Sequence, residues 1–272
     1  MQATDFEYGE EFLHDFGFIV CDFNYSGGAV STSGGSAIKF TKVSHHSGKR
    51  HSLAGTKYDE CISTTFDICK DPDKFSEDEM IISDREYRDL FRWLNRRDFH
   101  RMRFIDDCKE DDEYVYYNAS FNIEKITVAG DIVGMRLSME TDSPFGYGEQ
   151  TTAEYECTGA EDLIEIVDWS DEIGVTPAVI DIVCGESGNM TITNSMSDFP
   201  IVIKNCAANE HIVIDGVHQI ITSSMSSHNL AKDYNFEFFF IANSFAERTN
   251  YISCSIPCTV KISYSPTIKY TP

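Results

Sequence analysis

Apolar and polar residues alternate with a period of two along most of the chain, and one stretch alone departs to a helical period. Met135, Leu137 and Met139 alternate with Arg136, Ser138 and Glu140, as a strand with one buried and one wet face requires. Apolar patterning predicts further strands at 61–68, 99–105 and 114–128 in the first half. The exception is 83–95. Ser83 with Glu86 three residues on forms a capping box, each side chain satisfying a backbone donor of the first turn. Tyr87, Leu90, Phe91 and Leu94 then gather into one apolar stripe, which leaves Trp93 outside it. Asp84 and Glu86 lie where the helix dipole favours anions, and Arg92, Arg96 and Arg97 where it favours cations.

A proline and two glycines in Ser143-Pro-Phe-Gly-Tyr-Gly148 interrupt the pattern and predict a boundary between domains 1–147 and 148–272. Beyond it every patterned stretch reads as strand: 163–167, 179–184, 190–193, 199–204, 211–214, 217–221, 235–241, 251–255 and 259–264. Asp215-Gly216 suits a type I′ hairpin turn. The apolar run Phe236 to Phe240 fits a strand covered on both faces. Short strands with turns between them predict a β-sandwich of jelly-roll kind. Three stretches read as loops: a Gly/Ser segment at 26–35, a polar segment at 44–55 and an acidic one at 106–113. The first two regions carry local positive charge in Lys42, Lys49 and Arg50.

Composition narrows the function. The 272 residues are 42% hydrophobic and 12% aromatic, enough for two packed cores. No apolar run reaches membrane-spanning length, and the first residues lack the basic and apolar regions of a signal peptide, so folding in a cytoplasm is expected. A net charge of −23 argues against tight binding to a nucleic-acid backbone or an anionic membrane, which needs clustered Lys and Arg. It suits a surface past which DNA slides. Nine cysteines form an odd set that is expected to stay reduced, packing as small hydrophobes.

Candidate chemistry is sparse. His45, His46 and His51 share a loop but lack a Cys-x-x-Cys or His-Glu-x-x-His companion. Cys254 and Cys258 would lie roughly 13 Å apart on an extended strand, so they meet at one ion only if the chain turns at Pro257. The acidic run at 106–113 lacks the ligand register of an EF-hand. There is no Gly-x-Ser-x-Gly elbow, P-loop or dinucleotide fingerprint. No catalytic residue, metal site or cofactor is therefore assigned.

The order of elements resembles the distal tail (Dit) proteins of long-tailed phages, mostly those infecting Gram-positive bacteria. In the first half the resemblance rests on the helix with Leu90-Phe-Arg-Trp93-Leu94, on Met102-Arg-Phe104, and on the junction Met139-Glu-Thr-Asp142-Ser-Pro144-Phe145. In the second it rests on Pro177-Ala-Val-Ile180, Ile212-Val-Ile-Asp215-Gly216, Asn235-Phe-Glu-Phe238, Thr249-Asn250 and the terminal Val260-Lys-Ile262. Ala242 to Arg248 replaces a glycine-rich turn usual in that family. The resemblance implies a mainly β chain: a tail-tube-like N-terminal β-sandwich or barrel plus one helix, and a galectin-like C-terminal sandwich. It implies a non-enzymatic virion tail-tip hub, assembled in the host cytoplasm as a homo-hexamer. That ring would touch the tail-tube protein and tail-associated hub, fibre or receptor-binding proteins, with DNA only in passage and no membrane contact. His45, His46, Lys49, Arg50 and Trp93 are the expected ring contacts. The competing reading is a binder of host-wall sugars through Tyr155, Trp169 and Tyr234 in the second half. A wall-degrading hydrolase is a third reading without a motif behind it.

Overall fold

Antiparallel pairing organises the chain throughout. The computed structural model describes residues 3–23, 37–45, 48, 50–106 and 114–270. Two compact units divide it: Met1–Tyr147 with Lys269–Pro272, and Gly148–Ile268. Among the described residues no helix is long and apolar enough to cross a membrane.

The first unit contains β1 (Asp5–Tyr8), β2 (Glu11–Phe12), β3 (Phe18–Cys21), β4 (Ile38–Ser44), β5 (His51–Tyr58), β6 (Ser63–Lys70), α1 (Asp84–Leu94), β7 (His100–Ile105), β8 (Tyr116–Val128), β9 (Asp131–Thr141) and β10 (Gly146–Tyr147). Its main sheet runs β2-β1-β7-β8-β9-β6-β3. Val20 N–H donates to Thr4 O at 2.9 Å, so the last strand returns to the start of β1 and the sheet curls over its own core. Met135, Leu137 and Met139 point inward, fully buried, as their alternation predicts. Phe6, Tyr8, Phe66 and Phe121 join them.

The helix starts as its capping box dictates. Ser83 N–H and Oγ–H donate to Glu86 Oε2 at 2.8 and 2.6 Å, and Glu86 N–H donates to Ser83 Oγ at 3.3 Å. Its buried face differs from the predicted stripe. Leu90, Trp93 and Leu94 are buried while Phe91 stays 37% exposed. The face is turned toward Trp93 because that ring fills the aromatic core. It stacks on Phe16 at 4.5 Å and on Phe6 at 5.6 Å.

The second unit contains β11 (Thr151–Cys157), β12 (Ile164–Val167), β13 (Gly174–Pro177), β14 (Val179–Cys184), β15 (Gly188–Asn194), β16 (Ile201–Cys206), β17 (His211–Asp215), β18 (Ile220–Ser223), α2 (Leu230–Asp233), β19 (Phe240–Asn243), β20 (Thr249–Cys254) and β21 (Cys258–Tyr264). Sheets β11-β21-β14-β17-β18 and β12-β20-β15-β16 enclose an isoleucine-rich core, and β13 pairs with β19. The protein is thus mainly β, with one long helix among the described residues.

Two local expectations in this unit are corrected. Asp215 pairs with Ile220, so the β17–β18 loop has four residues and is not a two-residue type I′ turn. The Asp215 carboxylate accepts from Val217 N–H and His218 N–H, which closes the loop. Gly216 is needed for close approach: a Cβ there would lie 2.1 Å from Phe239 O and 2.6 Å from Ala178 O. The run Phe236 to Phe240 is not a covered strand. Phe236 sits at φ 61° and is 62% exposed, Phe239 is buried, and pairing begins only at Phe240.

Candidate assembly surface

The segment expected to be a polar loop at 44–55 is largely a strand. β4 and β5 pair from Ile38↔Tyr58 to Ser44↔His51, with a register shift at Thr41/Lys42. This ribbon forms its own two-stranded sheet, and almost every residue on both faces is exposed. Ile38, Phe40, Val43 and Leu53 are each about half exposed or more. A two-stranded ribbon with both faces exposed is marginal by itself, and strand edges of this kind can take another chain.

Its charge is as unusual as its exposure. None of the chain's 45 acidic residues and five of its 22 basic ones fall within 23–58. Lys39 and Lys57 stand directly opposite each other, a like-charge pairing that disfavours the isolated ribbon. The ribbon's base offsets this where Lys39 Nζ meets Asp59 Oδ1 at 2.5 Å. At the tip His45 Nε2 contacts Ser52 Oγ at 2.6 Å, and His45 N–H donates to Arg50 O at 3.0 Å. His45 and Arg50 are both exposed. His46 and Lys49 lie outside the described residues, as do the Gly/Ser segment 26–35 and all but Asp106 of the acidic run. The ribbon's strand character was missed because neither face is buried, so no clean alternation marks it. The acid-free composition was the available signal.

Trp93 does not belong to that surface. It is 4% exposed and its Nε1–H donates to Tyr8 O at 3.0 Å. An indole buried between Phe6 and Phe16 has no face to offer a neighbour, so the expected ring contact at Trp93 is withdrawn.

The three aromatics considered for sugar contact are not equivalent. Tyr155 lies partly buried on β11 against the core. Tyr234 is 4% exposed, bridges to Ile203 beside β16, and its hydroxyl donates to Glu237 O. Only Trp169 presents its ring, 67% exposed. A buried polar network fixes the loop beneath it. Asp168 Oδ1 accepts from Ser170 N–H and Oγ–H at 3.0 and 2.7 Å, and Oδ2 accepts from Asn243 Nδ2 at 2.7 Å. Arg248 Nη1 donates to Asp168 O and Ser170 O. The network satisfies the buried carboxylate and leaves Trp169 standing on a rigid base. Val175 and Phe245, on β13 and the β19–β20 loop, are also exposed, at 61% and 98%. The recess lined by Asn194, Phe199, Ile201, Phe238 and Phe240 has about 10 Å³ of free volume, room for one water and far too little for a sugar ring.

Titratable groups in the second unit serve structure. Buried Glu210 receives Ser223 Oγ–H and Ala207 N–H, and meets His228 Nδ1 at 2.5 Å. Burial raises the Glu210 pKa, but these hydrogen bonds outweigh it and hold the carboxyl below its usual range. His228 Nε2 also meets Lys204 O at 2.9 Å. With acceptors at both nitrogens the ring is held as imidazolium: burial lowers its pKa, and Glu210 more than restores it.

The described cysteines are all free. The chain does turn at 255–257, so Cys254 and Cys258 are not 13 Å apart. The sulfurs of Cys157, Cys254 and Cys258 all lie within 4.8 Å of one another, and all three residues are buried. Burial pushes the Cys157 thiol up to about 11. A hydrogen bond between Cys254 and Cys258 raises the former and lowers the latter.

Comparison with known proteins completes the description. Residues 1–143 match the family described as phage tail protein N-terminal domain, and residues 145–264 the one described as phage tail C-terminal domain. No curated protein matches the chain. Among solved structures, the Dit protein (gp 19.1) of phage SPP1, titled a paradigm of hub adsorption apparatus in Gram-positive infecting phages, aligns with TM-score 0.66. It is 13% identical over 96% of this chain and 98% of that one. A chain of the phage P2 baseplate in its activated conformation with Ca aligns with TM-score 0.57 and 8% identity over the full length of both. At such identities the likeness is one of fold.

Proposed function

The chain belongs to the phage tail protein family, and from that premise we propose that it is the hexameric hub of the tail tip. In this reading the subunits close head to tail into a ring between the tail tube and the host-adsorption parts, and DNA leaves through its channel. The β4–β5 ribbon carries the proposal. It exposes Ile38, Phe40, Val43 and Leu53, forms a two-stranded sheet of its own among the described residues, and collects positive charge on a chain whose remainder is strongly acidic. A second copy of the same chain has the complementary acidic surface, and a heterologous contact of that kind closes a ring when its rotation permits.

Within this scheme His45 and Arg50 lie at the ribbon tip where it meets the next subunit. The acidic remainder gives a channel wall that repels the phosphate backbone, so the genome passes without sticking. The second unit presents the Trp169 loop to tail-associated receptor-binding or fibre proteins. The sugar-binding alternative gains nothing from the geometry, since only one of its three aromatics is exposed.

Native mass spectrometry and negative-stain imaging of the full chain, alone and with its tail-tube protein, test the proposal. Six-fold rings are expected, and removal of the ribbon tip should return them to folded monomers. A chain that stays monomeric with and without the tube protein overturns it.

A further inference from the structure

Five of the nine cysteines converge on one end of the second unit, although they are spread over a hundred residues of sequence. Cys157, Cys258 and Cys184 form a single rung across three adjacent strands: Cys157 and Cys184 are the direct partners of Cys258 on its two sides, in β11 and β14. Cys254 ends β20 in the opposite sheet, where β20 pairs with β15 at Ile192. Cys206 ends β16 in that same sheet and shares a hydrogen bond with Cys184. Elsewhere the core is built mainly of isoleucine, with Val260, Met190, Ala178, Phe239, Tyr234 and Tyr264. Thiols serving merely as small apolar fillers would be scattered through it.

We propose that Cys157, Cys254 and Cys258 form a buried thiolate site for one Zn²⁺ ion. Three sulfurs mutually within 4.8 Å leave a point no more than about 2.8 Å from each of them. A Zn–S bond is about 2.3 Å, so a contraction of about half an ångström closes the shell. The protein's donor set is entirely sulfur, which selects a soft metal and rejects calcium or magnesium. Three thiolates take three corners of a tetrahedral zinc shell and leave the fourth to a small donor such as water, and each ligating thiol gives its proton to solvent. Cys254 brings one sheet of the sandwich, and Cys157 and Cys258 bring its opposite sheet. The ion would therefore clamp the two sheets at their end, which a disulfide would do in an oxidising compartment.

The test uses the full chain purified under reductant. Elemental analysis is expected to find about one zinc per chain. Anaerobic Co²⁺ titration should give thiolate-to-cobalt charge-transfer bands and the d–d bands of a tetrahedral site. Zn²⁺ should displace the cobalt, and a strong chelator should lower the melting temperature of the wild-type protein. Cys157→Ser and Cys254→Ser should lose the cobalt spectrum, while Cys206→Ala, outside the shell, should keep it. Should the serine variants fail to fold, the wild-type cobalt spectrum and chelator shift decide alone. Absence of both zinc and a cobalt spectrum overturns the proposal, as does a cobalt spectrum retained without Cys254, or uptake of Cu(I) with none of Zn²⁺.

Discussion

Lys70 Nζ lies 2.8 Å from Glu86 Oε1, so a buried lysine on β6 grips the first turn of α1. The same ammonium donates to Glu79 O and Ile81 O at 2.9 and 3.0 Å, and Glu86 is also the capping partner of Ser83. Helix start, preceding loop and sheet therefore meet at one cation. Lys70→Met should destabilise the first unit by about 2–4 kcal/mol, since it strands two carbonyls and a part-buried carboxylate. Urea unfolding monitored at Trp93 measures this, and a loss below about 0.5 kcal/mol would remove the lysine from that role.

The two tryptophans should behave oppositely. Trp93→Ala empties the centre of an aromatic stack and is expected to cost about 3–5 kcal/mol. Trp169→Ala should leave stability within about 0.5 kcal/mol while weakening capture of a tail-associated partner. Thermal melts and pull-down from assembled tail tips separate the two effects.

Stability of the second unit should depend on pH through Glu210 and His228. The pKa of His228 is raised in the folded state, so its contribution is complete below its unfolded value of about 6.5 and fades as pH rises through the folded value. The pKa of Glu210 is lowered, so its contribution is present above about 4.3 and fades as pH falls through the folded value. The pair is most effective between those limits. Melting temperature should decline from pH 6.5 toward 8, and His228→Gln should flatten that limb. An unchanged slope in the variant would assign the decline elsewhere.

Charge reversal on the ribbon should block assembly without unfolding the subunit. Lys42→Glu with Arg50→Glu is expected to shift sedimentation from ring to monomer at unchanged circular dichroism. Wild-type rings should loosen as salt rises, because the contact pairs exposed charges. Rings that ignore both changes would place the contact on another surface.

Gly216 and Gly55 provide a matched pair. Gly216→Ala drives a methyl into Phe239 O and Ala178 O and should cost about 3 kcal/mol. A Cβ at Gly55 meets nothing within 4 Å, and Gly55→Ala should be nearly neutral to thermal denaturation.

What the sequence disclosed follows from the range of each signal. Ser83 and Glu86 are three residues apart, and Met135, Leu137 and Met139 lie on one strand, so local pattern sufficed for both. Trp93 misled because Phe91 and Trp93 flank the same helix face, and only the ring stack on Phe6 and Phe16 decides which turns inward. The cysteine rung was hidden because antiparallel register, not spacing, sets Cys157 and Cys184 beside Cys258. The ribbon is marked in the sequence by its missing acids, a compositional sign that carries no period.

The acid-free ribbon also governs which encounters fail. Two such ribbons repel, so free subunits are kept from zipping edge to edge into symmetric pairs or fibres. Under the proposed assembly the permitted meeting is ribbon against acidic body, which would give each addition a polarity. In the proposed ring the rotation at each contact would close the assembly at a small number of subunits, while mutual repulsion would keep unassembled chains soluble.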